Sequence, residues 1–318
     1  MSRNLTLGID VGGTAMKLVL ADADGAVVHR DEVPTRPHDL VGSLADVAAA
    51  MAGPLGGAGH PRLLAVGLAC AGIVDPVAGT LGRSPNLPGW EDSSLADALR
   101  AAFGEVPGAC ANDVNAALWG EARHGAGRDC AGLVMIALGT GVGGGVMVGG
   151  ELVIGAHCGA GEIGHTVLDP DGDPCTCGGR GCLEAYAGSV GLLRHVRETA
   201  TGTLAELVAR RGDDLTTADV ASLAEAGDAD ARAVFTRAGR RLGQAVGNLV
   251  NILDPDRVII GGGVARAGDL ILAPCREIAP RLVLAAEAKN VPIVAAELGH
   301  LAAARGAAAL ARDLGAGG

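Results

Sequence analysis

Apolar positions along the chain come in short runs punctuated by glycine. Residues 5–10 are mostly apolar, with Thr6 and Asp10 the polar positions, which predicts a buried strand. Val11-Gly12-Gly13-Thr14 follows as a tight turn, and residues 17–21 and 26–30 predict a second and a third strand. Residues 39–52 are alanine-rich with helical spacing, and residues 63–69 predict another buried strand. Residues 93–103 and 114–124 predict helices, the first capped by Ser93 or Ser94. The pattern then restarts. Residues 132–138 predict a buried strand, Gly139-Thr140-Gly141-Val142-Gly143-Gly144-Gly145 a glycine loop, and residues 146–148 and 151–154 two further strands.

Strand, glycine turn, strand, strand therefore occurs near residue 5 and again near residue 132. Such an internal repeat predicts two related lobes, each presenting a glycine turn to a shared central cleft. Residues 188–251 predict helices broken at Gly202, Gly212 and Gly227. Residues 257–260 predict a strand, with Gly261-Gly262-Gly263 after it at a helix start. The expected division is an α/β lobe over 1–118 and a larger one over 119–299, the hinge falling near 115–130 and a final helix at 300–318 packing back onto the first lobe.

Composition sharpens this picture. A length of 318 residues suits two domains better than one core. With 49% hydrophobic but only 2% aromatic residues, that core must be built from Ala, Val, Leu and Ile. A net charge of −11 argues against a nucleic-acid or anionic-membrane partner. It leaves ATP open, because phosphates can be held by backbone N–H groups and magnesium. No uninterrupted apolar run reaches the length of a membrane span, about 18 residues, and no signal peptide precedes the first strand, so a cytoplasmic protein is expected. In that compartment clustered cysteines point to metal binding, not disulfides.

The glycine turn Gly12-Gly13-Thr14 joins two predicted strands. That excludes the P-loop and Rossmann motifs, which need a helix after the glycines. It is either an ordinary hairpin turn or a phosphate cradle in which Asp10 positions hydrated magnesium. Gly261-Gly262-Gly263 could accept an adenosine moiety or allow close helix–strand packing. His165, Cys175, Cys177 and Cys182 form a complete tetrahedral zinc set within eighteen residues. Four protein ligands leave no open position, so the zinc would be structural. Glu162 and Glu184 frame the set as polyol ligands or as plain surface acids. Asn112-Asp113 is either a helix cap or a site for a general base. Asn86-Leu87-Pro88-Gly89-Trp90 is, on its residues alone, a Pro-Gly turn with an exposed tryptophan.

These stretches together resemble the ROK family of sugar kinases, on the actin/hexokinase-like (ribonuclease H-like) duplicated fold. The likeness spans nearly the whole chain. It rests on Asp10-Val11-Gly12-Gly13-Thr14, Asn86 to Trp90, Asn112-Asp113-Val114-Asn115, Gly139-Thr140-Gly141, Gly161-Glu162-Ile163-Gly164-His165, the cysteine run ending in Glu184, and Gly261-Gly262-Gly263. Within the family the chain is most similar to bacterial glucokinases.

The resemblance implies that Asp113 is the catalytic base and that Asn86, Asn112, Glu162, His165 and Glu184 bind the sugar. It implies that Asp10, Gly12, Gly13, Thr14, Gly139, Thr140 and Gly141 hold the phosphates. His165, Cys175, Cys177 and Cys182 would bind structural zinc, and ATP with Mg²⁺ would be the donor. A homodimer or higher homo-oligomer is expected by the same likeness. Two positions depart from the family pattern: Ala111, and the turn Cys70-Ala71-Gly72.

The expected activity is phosphorylation of glucose at the 6-hydroxyl. Other acceptors stay open: N-acetylmannosamine, mannose or fructose. A sugar-sensing repressor of the same family would need a helix-turn-helix before the first strand, and a strand beginning by Leu5 leaves it no room.

Overall fold

A computed structural model describes residues 4–56, 61–84 and 86–315. The chain divides into two compact units, Met1–Asp129 with Ile154–Ala160 and Glu297–Gly318, and Cys130–Val153 with Gly161–Ala296.

The first unit holds β1 (Asn4–Val11), β2 (Ala15–Ala21), β3 (Val27–Pro34), α1 (Leu40–Gly56), β4 (Arg62–Cys70), a small sheet of β5 (Val74–Asp75), β6 (Thr80–Leu81) and β7 (Ser93–Ser94), then α2 (Leu95–Phe103), β8 (Gly108–Asn112) and α3 (Asp113–His124). Its main sheet runs β3-β2-β1-β4-β8, with β1 and β2 an antiparallel hairpin and β1, β4 and β8 parallel. The third strand reaches Pro34, beyond the predicted 26–30.

Residue size alternates along the central strands. Leu7, Ile9, Val66, Leu68 and Cys110 join one core with Leu44, Val47 and Met51 of α1 and Leu99 of α2. The alternate positions are small, and the C-terminal helix Ala302–Gly315 covers them through its own alanines. The approach is backbone to backbone. A Cβ on Gly8 would lie 1.9 Å from the Ala304 carbonyl oxygen, and one on Gly67 1.9 Å from that of Ala307. The same helix meets α3 across Gly306, where a Cβ would come within 1.6 Å of the Ala116 carbonyl oxygen.

This contact explains the domain boundary. A division at 118/119 would cut α3, which meets the C-terminal helix on both sides of that point, at Ala116 and Gly120, and the first unit extends to Asp129. Residues 316–318 of the expected final helix lie outside the described residues.

The second unit holds β9 (Leu133–Leu138), β10 (Val142–Val148), β11 (Glu151–Leu152), helices α4 (Leu183–Ala187), α5 (Ser189–Thr199), α6 (Gly202–Arg211), α7 (Thr217–Glu225) and α8 (Ala229–Leu253), then β12 (Arg257–Gly261), α9 (Asp269–Leu282) and β13 (Ile293–Ala295). Its sheet runs β11-β10-β9-β12-β13, with the first two pairings antiparallel and the last two parallel. Order and direction match the first sheet strand for strand, so this is an α/β duplicated fold of the ribonuclease H-like type.

Two expectations need correction here. Gly143–Gly145 belong to β10, so the predicted seven-residue loop shrinks to a three-residue turn, Gly139-Thr140-Gly141. Gly144 is needed for close approach: a Cβ there would lie 2.4 Å from the Gly161 carbonyl oxygen. After Gly263 comes a single 3₁₀ turn, Val264–Ala267, before α9 begins.

Gly67→Ala should lower the unfolding free energy by about 1–3 kcal/mol or more, because rigid backbone must move to admit the methyl group. Urea denaturation of the variant beside the parent checks this.

Candidate functional site

In the first unit the candidate residues gather at the C-terminal ends of the parallel strands. Asp10 pairs with Ala69 across β1 and β4, and Cys70 pairs with Asn112 across β4 and β8. The Asp10 carboxylate lies 3.5 Å from Lys17 Nζ across the hairpin. Burial raises its pKa, and Lys17 partly offsets the rise. The turn after it is braced from outside: the Thr35 hydroxyl donates to the Gly12 carbonyl at 2.7 Å and the Thr35 N–H to that of Thr14 at 2.9 Å. Gly13 packs against Asn86, whose Cβ would stand 3.6 Å from a Cβ at that glycine.

Asn112 is the N-cap of α3. Its Oδ1 accepts from the N–H groups of Val114 at 2.9 Å and Asn115 at 3.2 Å, and its Nδ2 donates to the Gly72 carbonyl at 3.2 Å. The cap role therefore falls to Asn112, leaving one amide hydrogen for a ligand. Asp113 is the first residue of α3, half-buried, with its Oδ1 accepting from the Val114 N–H at 2.9 Å. Loss of solvation lifts its pKa to about 6; the Asp10 carboxylate adds to the rise, and hydrogen bonds to the ionised form oppose it.

The turn that departs from the family pattern, Cys70-Ala71-Gly72, has structural jobs. The Ala71 carbonyl accepts the Ser84 hydroxyl at 2.7 Å, and the Gly72 carbonyl accepts Asn112. Each carbonyl thus accepts one internal hydrogen bond. Cys70 is fully buried, and burial with the nearby Asp113 drives its thiol pKa far up, so it is inert. Trp90 corrects another expectation. It is 0% exposed, and its Nε1 donates to the Arg36 carbonyl at 3.0 Å, which pins the segment carrying Asn86.

In the second unit the turn Gly139-Thr140-Gly141 closes the hairpin of β9 and β10, as Gly12-Gly13-Thr14 does in the first. The N–H of Ser189, opening α5, donates to the Gly139 carbonyl at 2.9 Å. Glu184 links this turn to the cysteine loop. Its Oε2 accepts the Val142 N–H at 3.0 Å, while its Oε1 accepts the Thr176 hydroxyl and lies 3.5 Å from Cys175 Sγ. Glu162 is exposed, and its carbonyl accepts the His165 N–H at 3.1 Å. The Glu162–His165 turn sits against β10 because Gly161 and Gly164 let the backbones touch; a Cβ on Gly164 would be 1.9 Å from the Val142 carbonyl oxygen.

The four expected metal ligands come together. One donor atom from each of His165, Cys175, Cys177 and Cys182 lies within 4.8 Å of every other. Cys177 and Cys182 sulfurs are 3.8 Å apart, as are Cys175 Sγ and His165 Nδ1. Two sulfurs bound tetrahedrally at about 2.3 Å stand about 3.8 Å apart, so the set fits such an ion. Sequence patterning missed what holds the loop. Arg237 pairs with Asp173 at 3.0 Å, Arg241 with Asp169 at 2.9 Å, and both guanidiniums stack on the Tyr186 ring. Arginines spaced along a predicted helix gave no sign of their acceptors.

The three glycines after β12 divide their roles. Gly261 packs against Met135 and Ala296, a Cβ on Gly262 (φ +90°) would lie 2.3 Å from the Leu138 carbonyl oxygen, and Gly263 faces open space. Only Gly263 is free of a packing duty. Among the described residues no helix is long and apolar enough to cross a membrane.

A model of the ROK family matches residues 6–314. The chain is 38% identical over 285 residues to the glucokinase of Halalkalibacterium halodurans, covering 87% of this chain and 86% of that one. It is 35% identical over 311 residues to the N-acetylmannosamine kinase of Escherichia coli O9:H4, covering 96% and 98%. The crystal structure of a ROK family glucokinase from Streptomyces griseus in complex with glucose and AMPPNP superposes with a TM-score of 0.82 at 35% identity, covering 98% of this chain and 100% of that one.

Asp113 holds its proton more tightly folded, near pH 6, than at its ordinary value of 3.8. Its ionised form therefore costs the fold stability above about pH 6 and nothing below its ordinary value. Asp113→Asn should stabilise the protein by roughly 1–3 kcal/mol near pH 8. The gain should shrink towards zero as pH falls through the carboxylate range, read by denaturant titration at several pH values.

Proposed function

Because this chain belongs to the ROK family, we propose that it is an ATP-dependent hexose kinase that phosphorylates glucose at its 6-hydroxyl, with Asp113 as the general base. The observation that carries this reading is the strand-end row of the first unit. It places a half-buried carboxylate with a pKa of about 6 at the start of α3, close enough to the Asp10 hairpin to feel its charge. Such a group is ionised at neutral pH yet basic enough to take a hydroxyl proton as bonding to phosphorus develops.

In the proposed step the sugar oxygen bonds to the γ-phosphorus, the bond to the ADP oxygen breaks, and the hydroxyl proton passes to Asp113. Gly12, Gly13, Thr14, Gly139, Thr140 and Gly141 would offer N–H groups and hydroxyls to the phosphates. Magnesium, when bound, neutralises phosphate charge, and Asp10 is the side chain that would orient its water. The spare amide hydrogen of Asn112, together with Asn86, Glu162, Glu184 and His165 Nε2, would hold the sugar hydroxyls.

The Cys₃His set would take zinc in a closed, structural site. With His165 Nδ1 3.8 Å from Cys175 Sγ and taken as the ligand atom, Nε2 would carry the proton and would donate to a sugar oxygen. A homodimer and a cytoplasmic setting complete the reading. Its rival acceptor is an N-acetylhexosamine, favoured by the likeness to an N-acetylmannosamine kinase.

A coupled ADP assay across a hexose and N-acetylhexosamine panel should give glucose the highest kcat/KM. Turnover with none of them would defeat the proposal, and a preference for N-acetylmannosamine would select the rival. Asp113→Ala should cut kcat by about 10²–10⁴-fold. The parent's kcat/KM should fall as pH drops below about 6, where the base becomes protonated. Elemental analysis should find one zinc per chain, and Cys177→Ser should lose it and melt at lower temperature. A metal-free parent of unchanged stability would remove zinc from the reading.

A further inference from the structure

An open groove of about 1000 Å³ in the second unit is lined by Arg232, Arg237, Arg240 and Arg241 of α8 and by Arg281 of α9. No residue assigned above to sugar, nucleotide or metal lines it. Like charges three and four residues apart on a helix, as at 237, 240 and 241, repel one another unless anions sit among them. Internal acids answer three of the five. Arg237 and Arg241 pair with Asp173 and Asp169 of the cysteine loop, and Arg281 with Glu277 at 2.7 Å. Among the described residues Arg232 donates to the neutral Ala224 carbonyl alone, at 2.7 Å. Arg240 is exposed, with no acidic partner among the described residues. Two uncompensated guanidiniums thus face one groove in a chain whose net charge is −11. Ala229, Ala233, Ile278 and Leu282 give the same groove an apolar wall.

We propose that this groove binds a multivalent, phosphate-bearing anion, with Arg232 and Arg240 gripping phosphate oxygens. Guanidinium forks match phosphate geometry with paired, charge-assisted hydrogen bonds, which lysine cannot reproduce. The apolar wall suits the carbon skeleton of a phosphate ester better than a bare oligophosphate chain.

Isothermal titration of the full-length, metal-loaded chain tests this, at low salt and without magnesium, with inorganic tripolyphosphate in one arm and fructose bisphosphate in the other. Saturable binding of one equivalent per chain is expected. The Arg232→Gln/Arg240→Gln double variant should weaken it about tenfold or more. Thr14→Ala, in the first glycine turn, should leave it unchanged. Tighter binding of fructose bisphosphate assigns an ester, and tighter binding of tripolyphosphate assigns a free oligophosphate. Thermal unfolding and kinase turnover of the double variant should match the parent; if they do not, Arg240→Gln alone, at an exposed position, replaces it. Absence of saturable binding by either probe overturns the proposal, as does full binding by the variant or its loss in Thr14→Ala. A change of size on gel filtration in a variant whose parent binds neither probe would make the groove a contact between copies of the chain, which also overturns it.

Discussion

Backbone-to-backbone contact, made possible by glycine, is the constraint on which the first unit depends. The C-terminal helix lies directly on β1 and β4 because Gly8 and Gly67 have no side chain to hold it off, and it lies on α3 because Gly306 has none. That packing fixes α3, and α3 begins with Asp113. The position of the proposed base is thus set by residues nearly two hundred positions away in sequence. A fully buried glutamate adds to it. Glu121 accepts N–H groups from Ala126 at 2.7 Å, Glu297 at 3.2 Å and Leu298 at 2.8 Å, tying the end of α3 to the segment that leads into the C-terminal helix. Three backbone donors satisfy a carboxylate that could not otherwise be buried at tolerable cost.

The second unit applies the same device to a different end. Gly144, Gly161 and Gly164 seat the turn carrying Glu162 and His165 on β10, and Glu184 joins the hairpin turn to the cysteine loop. One carboxylate thereby touches a proposed phosphate turn and a proposed metal ligand together. Ile163 and Leu183 anchor this region in the large apolar core, and Arg237 and Arg241 clamp the cysteine loop through Asp173 and Asp169.

Much of this was legible in the sequence, for physical reasons that can be named. The repeated strand–glycine–strand pattern marks two hairpins because a turn between antiparallel strands needs few residues and little side-chain bulk. The Cys₃His spacing is legible because ligands to one ion must lie close together in a short loop. What was not legible depends on partners far along the chain. Trp90 looked exposed beside Pro88 and Gly89, but a nitrogen donor reaching Arg36 buries it. Gly143–Gly145 looked like loop, since glycine disfavours strands, yet close contact with Gly161 overrides that preference. The first segment runs on to Asp129, inside the expected 115–130 hinge but past 118, because helix α3 takes its partner from residues 302–315. The alternation of large and small residues in β1 and β4 was present all along, hidden because both sets count as apolar.

Coverage of the first sheet by the helix Ala302–Gly315 also dictates an order of events during synthesis. On the ribosome, β1, β4 and β8 emerge early, yet the face bearing Gly8, Gly67 and Ala111 stays uncovered until the whole of Cys130–Ala296 has been translated. The unit begun first is therefore the unit completed last. Throughout that interval a nascent sheet waits with one face bare, and a nonsense codon anywhere before residue 302 would leave it so permanently.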